Sequence, residues 1–162
     1  MRKSITTLLC AALCSGMAVA QSASFRLDAD SAEKIVQGCK DHARAKAQSH
    51  AIAVYDSGGN LVSALRMDGN GPGIMAFAED KARAVANWRF ATGQMEEAVK
   101  GTPGFADAPF VVTVAGGVPV FTADGRAFIG SVGVSGQAPA DDAACAVAGI
   151  RAAGLSAERV RG

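Results

Sequence analysis

The stretch Ala51-Ile52-Ala53-Val54-Tyr55-Asp56-Ser57-Gly58-Gly59-Asn60-Leu61-Val62-Ser63-Ala64-Leu65-Arg66-Met67-Asp68 decides the fold class. Ala51 to Tyr55 is short and continuously apolar, as a buried strand is. Asp56 to Asn60 is turn chemistry, rich in residues that bond their own backbone or tolerate a left-handed conformation. Leu61 to Asp68 alternates, with Leu61, Ser63, Leu65 and Met67 on one face and Val62, Ala64, Arg66 and Asp68 on the other. Two such runs joined by a short turn make an antiparallel hairpin.

Upstream, Asp30-Ser31-Ala32-Glu33 reads as a capping box with Asp30 as N-cap. Ala32, Ile35, Val36, Cys39 and Ala43 then recur at helical spacing, predicting an amphipathic helix to about Gln48. Downstream, Gly69 to Gly73 interrupts the pattern, and a second helix is expected from about Ile74 to Ala91. Its apolar face holds Phe77, Ala84, Val85, Trp88 and Ala91, opposite Glu79, Arg83 and Asn87. A short helical piece from Gln94 to Val99 and a loop from Lys100 to Ala108 follow. Three further strands are expected: Phe110 to Ala115, Val118 to Thr122 and Ala127 to Val134. Pro119 lacks an N–H and so belongs on an edge or at a strand start. Asp141 to Ala153 closes the chain as a helix whose two N-terminal acids suit its dipole. The order α-β-β-α-β-β-β-α, with hairpin connections, implies an antiparallel sheet covered by helices and excludes a doubly wound nucleotide-binding sheet.

The N-terminus reads as an export signal. Arg2 and Lys3 precede a largely apolar, uncharged run from Ile5 to Met17, and Ala18-Val19-Ala20 supplies a cleavage site before Gln21. The run is shorter than the roughly 20 residues that span a bilayer. Cys10 and Cys14 both follow Leu, which argues against lipid attachment. Residues 21–162 then make one exported domain, soluble and periplasmic or secreted. A formal net charge of +1 gives no basic field for nucleic acid. After cleavage Cys39 and Cys145 remain, either as a disulfide or as two buried thiols. With no CxxC or CxxCH motif, neither a zinc ribbon nor covalent haem attachment is indicated.

Lys81 is the residue most out of place. It falls within the apolar stripe of the second helix, about 40° from Phe77. A lysine aimed at a core must snorkel, pair with an acid or meet an anionic ligand, and Arg66 and Asp68 are its expected neighbours. The two histidines, His42 and His50, lie at the edge of the first helix's apolar face and just before the first strand. They are too few for a three-histidine zinc site, and no G-x-S-x-G elbow supports a serine triad. Gly130 to Gly136 lacks the spacing and the lysine of a phosphate loop, so its glycines read as close-packing residues in a strand and its exit turn. Met67, Met75, Met95 and Tyr55 carry atoms of a type that can ligate haem, but core packing explains each of them better.

Several segments together carry a resemblance: Val54 to Val62, then Arg66-Met67-Asp68, Ala78 with Lys81-Ala82, Thr92, Gly116 to Val120, Ile129 to Gly136 and Asp141-Asp142. In this order and spacing the chain resembles the GlcG/HbpS-like family of haem-degrading or haem-binding domains, related to the C-terminal domain of PduO-type proteins. The resemblance implies a mixed α+β fold: a profilin-like α/β/α sandwich on a five-stranded antiparallel sheet. It also implies self-association into dimers or larger homo-oligomers, and first and last helices that lie side by side, so that Cys39 and Cys145 would bridge. The cofactor it implies is haem, for which His42 and His50 are the axial candidates and Arg66 and Lys81 possible partners of the propionates. The alternative is an enzyme or accessory factor that binds a small carboxylate or aromatic metabolite around Arg66, Asp68 and Lys81, with Asp68 moving a proton. A pure assembly role, resting on Ala- and Gly-rich helices, is third. No constellation of residues points to haem breakdown itself.

Overall fold

A computed structural model describes residues 26–160; the expected export signal lies outside them. The elements are α1 (Ala29–Ala45), β1 (Ala51–Asp56), β2 (Leu61–Arg66), α2 (Pro72–Trp88), α3 (Thr92–Gly101), β3 (Gly117–Phe121), β4 (Phe128–Ser135) and α4 (Pro139–Ala152), with one 3-10 turn at Phe105–Asp107. The four strands form one antiparallel sheet in the order β2-β1-β4-β3. No helix among the described residues is long and apolar enough to cross a membrane.

Alternation along the central strands divides the molecule into three layers. Ile52 and Val54 of β1, Val132 and Val134 of β4, and Val118 and Val120 of β3 share one buried face. They pack against Ile35 and Cys39 of α1 and Cys145, Ala146 and Ile150 of α4. The opposite face carries small residues, Ala51 and Ala53 of β1 with Ser131 and Gly133 of β4, and α2 presses Ala78 and Ala82 onto it. The approach is at backbone contact: a Cβ on Gly133 would run into the Ala78 carbonyl oxygen and come within 2.5 Å of the Ala82 nitrogen. Ser131 Oγ completes the seam by donating to the Ala82 carbonyl at 2.8 Å. The glycines read as close-packing residues do this work.

α1 and α4 meet as closely. A Cβ on Gly38 would collide with that of Ala152, and one on Gly149 with the Ile35 carbonyl. Cys39 and Cys145 are joined between them as a disulfide, with Cα atoms 4.7 Å apart.

Three expectations need correction. The fifth strand, Phe110 to Ala115, does not form. Alternate N–H groups of β3 face its outer edge, and each of those positions is already used. Gly117 donates to Thr92 Oγ1 at 2.9 Å, Pro119 has no N–H, and Phe121 donates to the Ser156 carbonyl at 2.8 Å. Pro119 therefore sits on an edge as expected, but no outward N–H of β3 is left for another strand to pair with. Second, α1 is capped by Asp28, whose Oδ1 accepts from the Ser31 N–H at 2.7 Å, and Asp30 falls inside the first turn. That hydrogen bond also holds the Asp28 carboxyl below the usual aspartate value. Third, a bulge between Val54 and Tyr55 pairs Tyr55 with Leu61 but Val54 with Ser63. The extra residue resets the alternation of β2, so Val62 joins Leu65 and Met67 at the core while Leu61 turns to solvent.

Gly133→Val should cost about 3 kcal/mol in urea unfolding, because the atoms it meets are α2 backbone, which cannot yield. Gly73→Ala, with nothing within 4 Å of its Cβ, should be neutral or stabilising by up to about 1 kcal/mol. Replacing Cys39 and Cys145 together with Ser should cost about 2–4 kcal/mol, and thiol mapping without reductant should find neither cysteine free.

Candidate functional site

Lys81 is almost fully buried and points from α2 past the end of the sheet. Its Nζ donates to Asp142 Oδ2 at 3.0 Å and to the Val134 carbonyl at 2.9 Å. The Phe77 ring centroid lies 4.8 Å from the same ammonium. Gly116, at φ 126°, opens the passage, since a Cβ there would stand 2.7 Å from Nζ. Asp142 is equally buried at the start of α4. Its Oδ1 accepts from the Gln137 N–H at 3.1 Å and lies 3.0 Å from His50 Nδ1. Bonding to a carboxylate puts the imidazole hydrogen on Nδ1. His50 Nε2, the other ring nitrogen, is fully buried and without a hydrogen-bond partner among the described residues. Burial draws Lys81 below the ordinary lysine value, and the Asp142 carboxylate opposes that pull.

Of the residues singled out in the sequence, Lys81 and His50 thus converge on one acid. Arg66 and Asp68 do not join them. Both are exposed at the end of β2. The Arg66 guanidinium donates to the Asn70 carbonyl, and the Asp68 carbonyl accepts from Ser49 Oγ at 2.6 Å. The acid that meets Lys81, Asp142, was read from sequence only as a dipole charge. Its spacing to Cys145, Ala146 and Gly149 marks it as belonging to the buried stripe of α4, a signal that was legible. Among the described residues no group of three or more His, Cys, Asp or Glu side chains is placed to hold a metal ion.

His42 lies elsewhere, in a cleft of about 600 Å³ between α1 and α4. Ala140, Ala143, Ala144 and Ala148 floor this cleft, and Arg151 stands at its rim. His42 is half-buried, and its Nε2 is covered without a hydrogen-bond partner. A second and wider groove of about 970 Å³ runs along the outer edge of β3, beside Trp88, Phe90 and Phe121.

A four-stranded antiparallel sheet covered by helices on both faces belongs to the class of three-layer α+β sandwiches. Comparison with known proteins narrows the class. Residues 27–151 match the model of the family described as haem degrading protein HbpS-like, and the chain belongs to that family. It is 39% identical to protein GlcG of Escherichia coli (strain K12) over 105 residues, 64% of this chain and 77% of that protein. It is similar to the crystal structure of a double mutant of Streptomyces reticuli HbpS, with TM-score 0.74 and 29% identity over 88% of this chain and 97% of the other. It shares the fold of PduOC, solved as a heme complex, with TM-score 0.75 and 21% identity over 83% and 100% of the two chains.

Asp142→Ala should cost about 3–5 kcal/mol by leaving the Lys81 ammonium without its counter-ion, and adding Lys81→Met should recover most of that loss. In the wild type, below the ordinary lysine value of 10.5, the unfolded chain holds the Lys81 proton more tightly than the folded one. Unfolding free energy should therefore rise with pH through the interval between the lowered value and 10.5, and this rise should vanish in Lys81→Met.

Proposed function

We propose that this chain is an exported haem-binding protein, acting as carrier, buffer or sensor input, that seats the group between α1 and α4 with His42 as axial ligand. The observation that carries this reading is the His42 imidazole, with an uncommitted Nε2 beside an apolar cleft. Because Nε2 is covered in this conformation, the half-buried ring would rotate to present it to the iron. Alanine methyls give a flat apolar floor, and Arg151 offers a charge-assisted contact to a propionate. The cleft is within the range of about 300–1,000 Å³ usual for ligand sites. Bound haem would supply an iron centre whose potential and reactivity depend on that axial donor. The family description supports the ligand class. His50 fits poorly, since its ring is enclosed and its Nδ1 is committed to Asp142.

The export reading rests on Arg2, Lys3, the apolar run and Ala18-Val19-Ala20. A disulfide between Cys39 and Cys145 suits an oxidising compartment such as the periplasm or the cell exterior. Self-association belongs to the same reading, with the exposed Leu61 and Phe110 as apolar surface for it to cover. A carboxylate pocket around Arg66, Asp68 and Lys81 has less support, because the Lys81 charge is already answered by Asp142.

Titration of residues 21–162 with hemin should give a saturable, near-stoichiometric Soret shift that His42→Ala abolishes and His50→Gln retains. Circular dichroism establishes that both variants are folded. An equal shift in wild type and His42→Ala would remove the assignment.

A further inference from the structure

The groove along β3 is chemically unlike the His42 cleft, although Ala143 and Val147 of α4 line both. Its walls are Trp88, Phe90, Val118, Phe121 and Val147. Among the described residues no His, Cys, Met or Tyr side chain lines it, so it offers an iron no ordinary side-chain ligand. What it offers instead is aromatic area and positive charge. Trp88 is 37% exposed yet held in place, its Nε1 donating to the Pro109 carbonyl at 2.9 Å and its ring meeting Phe105 edge-on at 4.9 Å. Phe90 stacks on the same Phe105 ring, with centroids 6.3 Å apart.

Arg89 stands between these two aromatics in sequence, at the left-handed end of α2 with φ 62°. A non-glycine residue in that region carries backbone strain. The turn sends its guanidinium over the Phe128 ring, 5.5 Å from the centroid. Arg159 and Glu158 line the groove from the C-terminal segment, leaving a surplus of one positive charge. Among the described residues neither Arg89 nor Arg159 is in an ion pair.

From this we infer a second binding site, for a planar, largely apolar carboxylate that needs no metal bond. Its rings lie against Trp88 and Phe90, and its carboxylates meet Arg89 and Arg159. Stacking on a fixed indole costs little side-chain entropy, and two guanidinium groups without an ion pair among the described residues select an acid over its ester. The site stands or falls independently of haem in the His42 cleft.

Trp88 is the only tryptophan in the chain, so quenching has a single indole source. Because a porphyrin quenches indole at long range, the groove is assigned by the Arg89 and Arg159 substitutions and not by quenching alone. Iron-free protoporphyrin IX is the probe, planar and apolar with two carboxylates. Its dimethyl ester, of similar absorbance, controls for light screening. Saturable quenching is expected, with affinity at least tenfold weaker for the ester and for Arg89→Ala with Arg159→Ala, and unchanged in His42→Ala. Equal quenching by acid and ester, no effect of the double substitution, or loss in His42→Ala would overturn the site. So would binding that falls in step with self-association as protein concentration rises, because a second copy would then fill the groove.

Discussion

The structure depends on the ion pair between Lys81 and Asp142, because its partners sit on opposite sides of the sheet. Lys81 belongs to α2, packed on the small-residue face, while Asp142 opens α4, packed on the branched face. A lysine side chain reaches around the sheet only if α2 lies close to it and nothing blocks the way. Gly133 meets the first requirement by admitting the α2 backbone, and Gly116 meets the second by leaving room for the ammonium. Gly117 is part of the same constraint, since its Cβ would fall 2.7 Å from the Lys81 carbonyl oxygen. A buried pair of this kind adds little net stability, but each partner makes the loss of the other expensive. It therefore fixes the mutual position of the two outer layers more than it strengthens either.

Much of this was legible in the sequence. The hairpin, both long early helices, the edge position of Pro119 and the packing role of Gly130, Gly133 and Gly136 followed from local pattern. So did the oddity of Lys81, since a lysine in an apolar stripe must be answered by something. What answers it was not legible from spacing alone, because residues 81 and 142 are brought together by the layer arrangement. Proximity along β2 suggested Arg66 and Asp68 instead, and the exposed end of that strand carries them away from Lys81. The missing fifth strand has a similar origin. Phe110 to Ala115 has the composition of a strand, but pairing needs a free edge, and the donors of β3 are taken by Thr92 and Ser156 from distant parts of the chain. The Asp28 cap was missed for a local reason: Asp28 and Asp30 both precede plausible first turns, and buried Leu27 sets the frame.

The same tight packing shapes the α1–α4 face. Gly38 and Gly149 let the two helices touch along their backbones, and the Cys39–Cys145 disulfide lies at that contact. Helices this close leave no core between them, so the alanines that would be interior in a looser pair become a shallow outer floor. His42 follows Cys39 by three positions, the spacing that places it one turn further along the same side of α1. The imidazole is thereby held near that floor by the packing that defines it.

The two concavities that flank α4 are separated by chemistry rather than by distance. On the α1 side there is a nitrogen donor and a surface of methyl groups. On the β3 side there are aromatic rings and, among the described residues, guanidinium groups without an ion pair and no such donor. A flat tetrapyrrole with iron has most to gain where a metal bond is on offer, and a flat acid without a metal where stacking and charge are. Ala143 and Val147 of α4 contribute to both concavities. That stretch begins one residue after Asp142, so the ion pair which fixes the layers also holds the wall common to the two concavities.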